Sequence, residues 1–433
     1  MRWLRLSAST LALFGALGVA HGCSEKQGCL GGDDGECLPQ SACEGLSFSC
    51  EAPQLEIRRL PDASERPDGP KAAAAAGDIL LQNDRVTAIL DDIASPHMLA
   101  PSGGALLDLT VRGAATDQLN QAFQAVGILP DDAASYRKLE IVDERPALVA
   151  AVFRGTLDLR PEIEVVTRYE LRACEPGLRV RTELYHSGRD PLTVFPADAL
   201  FWGDRGITPF VPLPGQGFRH PELDLAEIGA AFRDTPFVAG DAHVPGGVAY
   251  AVVPCDRRLL SGFHSETLSA VGAPRTILMP GDGVAFERFI GVAAGPGQQG
   301  AVNLALEARA QLFGEPYATV SGRVVSGAAA AGGDERAASL LFYEPARSEN
   351  PDDERGRWPW SAAVPDADGR FEVRLPAGRS YRVEPHALGR PIAEPSRFSA
   401  AESSVDLGDL VLPELGRIDV SVEDENEIGR AHV

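Results

Sequence analysis

The strongest constraint on this chain is the stretch from Glu162 to Val194. Ile163, Val165, Thr167, Tyr169, Leu171 and Ala173 alternate with Glu164, Arg168, Glu170 and Arg172, and Val166 is the one apolar exception. A period of two marks a strand with one face buried. Glu175-Pro176-Gly177 then reverses the chain, and Leu178, Val180, Thr182 and Leu184 alternate with Arg179, Arg181 and Glu183. Two such runs about a Pro-Gly turn predict an antiparallel hairpin. One face is oily and the other carries mixed charge, so the hairpin must lie on a second layer.

The rest of the chain reads as more hairpins built around this one. Predicted strands cover Ile79–Leu81, Val86–Leu90, Ala105–Val111, Leu139–Asp143, Leu148–Leu157, Val248–Val253, Arg275–Met279, Val284–Val292 and Val302–Leu306. Asp117 to Val126 differs, with Leu119, Phe123 and Val126 at helical spacing in a run short enough to be irregular instead. Phe195 to Val244 loosens into Pro, Gly, His and aromatic residues, and loops of that length are commonly functional or disordered. Gly314-Glu315-Pro316 marks a boundary. A second all-β unit follows, with strands at Ala318–Val325 and Ser339–Tyr343 and a turn at Asp366–Gly369 before Phe371.

The chain of 433 residues is long enough for two or three domains. Its net charge of -22 opposes binding to nucleic acid. Residues 1–22 form an export signal: Arg2 and Arg5 precede a short apolar core from Leu6 to Ala20. Ala20-His21-Gly22 before Cys23 resembles the lipobox of bacterial lipoproteins, with His21 departing from the usual small residue. Lipidation of Cys23 would anchor the protein to the envelope through lipid alone, at the outer membrane or cell surface. Plain secretion or a periplasmic address is the alternative. Cys29, Cys37, Cys43 and Cys50 lie close together, a spacing that predicts two disulfides among them, in one of three connectivities. A zinc knuckle is the alternative, although no CxxC pair is present. Cys174 and Cys255 remain as further disulfide candidates, and sequence separation alone does not show whether they bridge to each other. Residues 23–76 therefore read as a Cys-rich tether and an Ala- and Pro-rich linker.

No His pair has a metal-ligand spacing, and no nucleophile elbow or phosphate cradle is present. The sequence therefore assigns no catalytic residue, no metal and no cofactor. The densest polar cluster is His220 with Asp241 and His243 on the loose loops. Acid-base or metal chemistry there competes with the plainer reading of exposed loop residues. Sugar binding is the other candidate, because aromatic faces stack on sugar rings while carboxylates and Arg take hydroxyls. Trp202 with Asp204 and Arg205, and Trp358 with Trp360, supply those groups. The competing reading puts Trp202 in the core and makes the Trp358–Trp360 segment a capping cluster.

Val320-Ser321-Gly322-Arg323-Val324, the Asp366–Gly369 turn and Leu375-Pro376-Ala377-Gly378 make 317–413 resemble the carboxypeptidase regulatory-like domain. That resemblance implies a prealbumin-like β-sandwich with an accessory role. GDILLQNDRVTAIL at 77–90, PSGGALLDL at 101–109, the hairpin ending in LYHSGRD at 184–190 and LFWGDRGITPFVPLPGQGF at 200–218 make 77–313 look like the N-terminal part of exported CehA/McbA-type metallohydrolases. This resemblance implies an all-β galactose-mutarotase-like supersandwich, then the regulatory-like sandwich, then a catalytic PHP domain. No PHP motif follows here.

Residues 414–426 read as the start of a further element. Ile428 to Val433 matches the translation of a common sequencing-adapter string, so 427–433 reads as a non-native tail and the natural protein as longer. The expected activity is carbohydrate binding without catalysis. A complete surface lipoprotein for glycan adhesion, and a mutarotase-like epimerase or lyase using His220 or His243, are the alternatives. Sequence does not fix the oligomeric state.

Overall fold

The Glu162–Val194 hairpin forms as expected: Ile163–Arg172 and Gly177–His186 pair antiparallel, from Ile163 opposite His186 to Glu170 opposite Arg179. The computed structural model describes residues 41–414 except 95, 98, 115–116, 128–131, 204–206, 214–231, 243–246, 266, 296, 327–337 and 345–358. It also describes 420–423 and 428–431. Cys23, Cys29 and Cys37 lie outside the described residues.

The hairpin sits inside an eight-stranded sheet that faces a nine-stranded one. The eight strands run in the order Thr208–Phe210, Val238–Asp241, Val248–Pro254, Gly283–Ala294, Gly177–His186, Ile163–Arg172, Leu148–Leu157 and Ala134–Glu144. Ile79, Leu81, Ala88 and Leu109 of the nine-stranded sheet meet Val149, Phe153, Val165 and Ile290 of the other in one core. The chain is all-β as expected, a large sandwich followed by a small one. In the small one, a three-stranded sheet and a four-stranded sheet enclose Val320, Leu340, Phe342, Val373 and Tyr381. Val420–Glu423 pairs with Ile428–Ala431 beyond it.

Several expectations are corrected. Val302–Leu306 is not a strand but part of the helix Gln299–Phe313. Val302, Leu304 and Leu306 alternate over five residues. The longer window is rich in Ala, Leu, Glu, Gln and Arg, all strong helix formers, and buries Ala301, Ala305 and Ala308 on one stripe. Gly314 ends the helix in the left-handed conformation, at φ 66°. Conversely, the helical spacing in Asp117–Val126 misleads, because Gln121–Ala125 is a strand paired to Ala197–Phe201. The long loop expected over Phe195–Val244 also contains the strands Ala197–Phe201, Thr208–Phe210, Arg233–Thr235 and Val238–Asp241.

The tether and linker are corrected most. Leu55–Arg59 is the edge strand of the nine-stranded sheet. Leu60 and Ala74 pack on Leu80 and Ile89, so the Ala-rich stretch clads that sheet. Cys43 bonds Cys255 and Cys50 bonds Cys174. The tether cysteines thus join the sandwich rather than each other, and Cys174 does not bridge to Cys255. A zinc knuckle using Cys43 and Cys50 is thereby ruled out.

The strap from residue 41 to 50 lies on the charged outer face of the hairpin. Arg179 donates to Leu46 O at 2.9 Å and to Glu175 Oε1 at 3.1 Å, Arg172 donates to Glu44 at 2.8 Å, and Glu287 accepts from the Ala42 N–H at 2.7 Å. The helix covers more of the same face, with Ala301, Val302 and Ala305 against Phe210, Phe237 and Phe289. Burying one such phenyl ring is worth about 1.5–3 kcal/mol. Gln299 and Val364 exchange two hydrogen bonds, of 3.0 and 3.2 Å, that dock the helix to the small sandwich. Among the described residues no helix is long and apolar enough to cross a membrane.

Non-reducing peptide mapping of the protein is expected to recover Cys43 linked to Cys255 and Cys50 linked to Cys174. A Cys43–Cys50 linkage would contradict the strap. Replacing Cys43 and Cys255 together by Ser is expected to cost about 2–5 kcal/mol in urea denaturation.

Candidate functional site

Most of the residues singled out from sequence do not converge. Trp202 is 1% exposed and donates its Nε1–H to Ser269 Oγ at 2.7 Å, so it is core and not a sugar platform. Trp360 is half-buried, packs edge-on to Phe237 at 6.1 Å and carries the Arg379 guanidinium 5.9 Å from its ring. It is a packing joint between the helix-covered face and the small sandwich. Asp241 is fully buried within its strand rather than on an exposed loop. Asp204, Arg205, His220, His243 and Trp358 lie outside the described residues.

The structure instead forms a cleft of about 440 Å³ where the strap, the end of the large sandwich, the helix and the small sandwich meet. Phe48, Arg85, Arg112, Asn303, Glu307 and Arg374 contribute its chemistry. Each of these side chains is held in place. Phe48 stacks on Phe289, with ring centres 5.8 Å apart. Arg112 donates to Gln54 Oε1 at 2.5 Å and Asn83 O at 3.1 Å, and Arg85 donates to Ser49 O at 2.7 Å. Arg374 donates to Glu307 Oε2 at 2.6 Å and Asn303 O at 3.1 Å, while Asn303 Oδ1 accepts the Arg374 N–H at 2.6 Å. Fixed donors and acceptors beside an aromatic wall match a ligand with many hydroxyls and an apolar ring face. Nothing in the sequence pattern pointed here, because the cleft is assembled from separate segments spread from Phe48 to Arg374.

A second feature missed from sequence is a polar layer sealed between the two sheets. Arg288 and Asp198, both 0% exposed, form a two-pronged pair with Nε to Oδ2 at 2.7 Å. Arg288 also donates to Thr182 Oγ1 at 2.8 Å, and Thr182 contacts Thr167 at 3.2 Å. Tyr136 joins Thr167 at 2.6 Å and donates to Gln124 at 2.9 Å, and Tyr169 donates to Gly104 O at 2.9 Å. Burial raises both phenol pKa values, which keeps them as donors. A signal existed: Arg288 is in phase with Phe286 and Ile290, and Asp198 with Leu200, so both had to point inward.

Buried carboxyls also sit in and beside the nine-stranded sheet. Asp108 accepts from the Ala73 N–H at 2.9 Å, and burial pushes its pKa up to about 6. Asp117 accepts from the Leu109 N–H at 3.0 Å; burial, with the charge of Asp108 adding, pushes it to about 8.

Removing Asp198 leaves the Arg288 charge buried and unpaired, so Asp198→Ala is expected to lower stability by about 3–5 kcal/mol in urea or thermal unfolding. Asp117 has an ordinary value of 3.8 and a folded value of about 8, so the folded state holds its proton more tightly. That contribution to stability is complete below about pH 4 and is lost as pH rises towards 8. Asp117→Asn, which keeps the acceptor for Leu109, is expected to flatten the fall when unfolding is followed across that range.

Neither a family model nor a curated protein matches the sequence. Among solved structures, the chain is similar to a galactose mutarotase-like protein from Lactobacillus casei ATCC 334. The identity is 11%, the match covers 50% of this chain and 100% of that one, and the TM-score is 0.32. A galactose mutarotase-like protein from Clostridium acetobutylicum is similar at 10% identity, over 56% of this chain and 99% of that one, with a TM-score of 0.32. A GH36 alpha-galactosidase from Geobacillus stearothermophilus, solved in complex with stachyose, is similar at 10% identity, over 57% of this chain and 45% of that one, with a TM-score of 0.36.

Proposed function

We propose that this chain is the non-catalytic, carbohydrate-binding accessory region of an exported protein, and that it holds a saccharide in the cleft lined by Phe48, Arg112, Asn303 and Arg374. The cleft carries this reading. At about 440 Å³ it falls within the usual size range of small-molecule sites. Its guanidinium, amide and carboxylate groups are fixed by hydrogen bonds made before any ligand arrives, which lowers the ordering cost of binding. Phe48 offers a ring for the C–H face of a sugar. The two disulfides support export to an oxidising compartment.

Lipid anchoring at Cys23, and a catalytic PHP domain beyond the small sandwich in the natural protein, are parts of the same proposal. They rest on the sequence resemblance alone. In that arrangement the two sandwiches position substrate for chemistry done elsewhere.

Calorimetric titration of the chain with a panel of neutral and acidic oligosaccharides is expected to find a binder without turnover. Arg112→Ala or Asn303→Ala is expected to weaken it about tenfold or more, the worth of one or two hydrogen bonds to a charged or amide group. A panel with no binder, or one whose binding survives both changes, would overturn the assignment.

A further inference from the structure

We propose that Asp78, Asp91 and His97 bind one divalent transition-metal ion of the zinc or manganese class. Hairpin register brings the two carboxylates together. Ile79 pairs with Leu90, so Asp78 and Asp91 flank the same rung, one entering the first strand and the other leaving the second. The loop after Asp91 returns His97 to the pair. One donor atom from each of the three residues falls in a group with no two atoms more than 4.8 Å apart.

The geometry suits a metal ion. His97 Nδ1 lies 2.9 Å from Asp91 Oδ1. That is hydrogen-bond distance, and it is also close to the separation of two donors sharing one ion, roughly 3 Å at octahedral and about 3.4 Å at tetrahedral angles for bonds of about 2.1 Å. Asp78 Oδ1 accepts the Asp92 N–H at 3.0 Å and Oδ2 the Ala75 N–H at 2.7 Å, and Asp91 Oδ2 accepts the His97 N–H at 2.8 Å. Each carboxylate oxygen keeps a second lone pair for a cation. Gln121 Nε2 donates to His97 O at 2.9 Å and so fixes the loop that carries the imidazole.

Charge supplies an independent argument. Asp78 and Asp91 are both 0% exposed. Among the described residues, the one cationic side chain within ion-pairing distance of either is the His97 ring. Buried carboxylates are matched by Arg or Lys, by a metal ion, or by a proton that neutralises them. Two acids beside a single imidazole leave room for a doubly charged partner. The His97 side chain is 24% exposed, which gives that partner a route in from solvent and leaves coordination positions for water. One imidazole with two carboxylates favours zinc or manganese over calcium, whose sites are built from oxygen.

The test uses the whole chain, stripped with chelator and titrated with Zn²⁺, Mn²⁺ and Ca²⁺ separately by calorimetry, with Co²⁺ absorption as a spectroscopic check. The expected result is one Zn²⁺ or Mn²⁺ per chain, weak or no Ca²⁺ binding, and a higher melting temperature with metal. His97→Ala is expected to reduce affinity about tenfold or more and remove the Co²⁺ bands. Because the imidazole also faces buried Asp91, the metal-free melting temperature of the variant is read alongside, and His97→Gln, which keeps a donor towards Asp91, is expected to lose the metal in the same way. Asp91→Asn should act likewise, and His386→Ala should change nothing. Absence of a stoichiometric site, or binding unaltered by His97→Ala, would overturn the proposal.

Discussion

The pairing of Arg288 with Asp198 is the contact on which the large sandwich most depends. It lies between the sheets, where neither charge reaches water, and its partners come from both layers. Burial of apolar area is non-directional and by itself favours no single register of one face on the other. A bidentate ion pair continued through Thr182, Thr167, Tyr136 and Gln124 does favour one, because any slip strands a charge in a low-dielectric interior. The apolar residues drive the sheets together, and this layer fixes how they register.

A second constraint follows from the eight-stranded sheet having two oily or half-oily faces. The inner face is satisfied by the nine-stranded sheet. The outer face carries Phe210, Phe237 and Phe289 beside charged hairpin residues and needs its own cover. The strap and the helix supply it, one tied down by disulfides and the other by an alanine stripe. The helix also presents Gln299 and Asn303 to the small sandwich, so covering the sheet orients the second domain as well. The cleft results from three pieces meeting over the end of the large sandwich. Its polar groups are held by contacts that the fold already requires.

Legibility varied with how local the signal was. The hairpin Ile163–His186 could be read directly because alternation and a Pro-Gly turn are properties of neighbouring residues. The helix Gln299–Phe313 was misread because five residues of it satisfy a period of two, and only the longer run shows the other periodicity. The segment 61–76 looked like a linker because alanine and proline carry no pattern. It is fixed by Asp108 accepting from the Ala73 and Ala74 N–H groups, and no stretch of linear sequence displays that contact. Trp202 suited a ligand site by residue type, yet its indole meets Ser269 in the interior.

What the sequence determined by itself was the class of object: a β-rich chain of stacked hairpins in two units. Strand periodicity and turn residues act over a few positions and need no partner to be recognised. Tertiary structure alone decided which cysteines join, that a helix roofs one sheet, and which polar side chains share a cleft or a buried layer. Those outcomes depend on which surfaces are left uncovered once the sheets have packed. That is a property of the folded whole, and residues hundreds of positions apart settle it together.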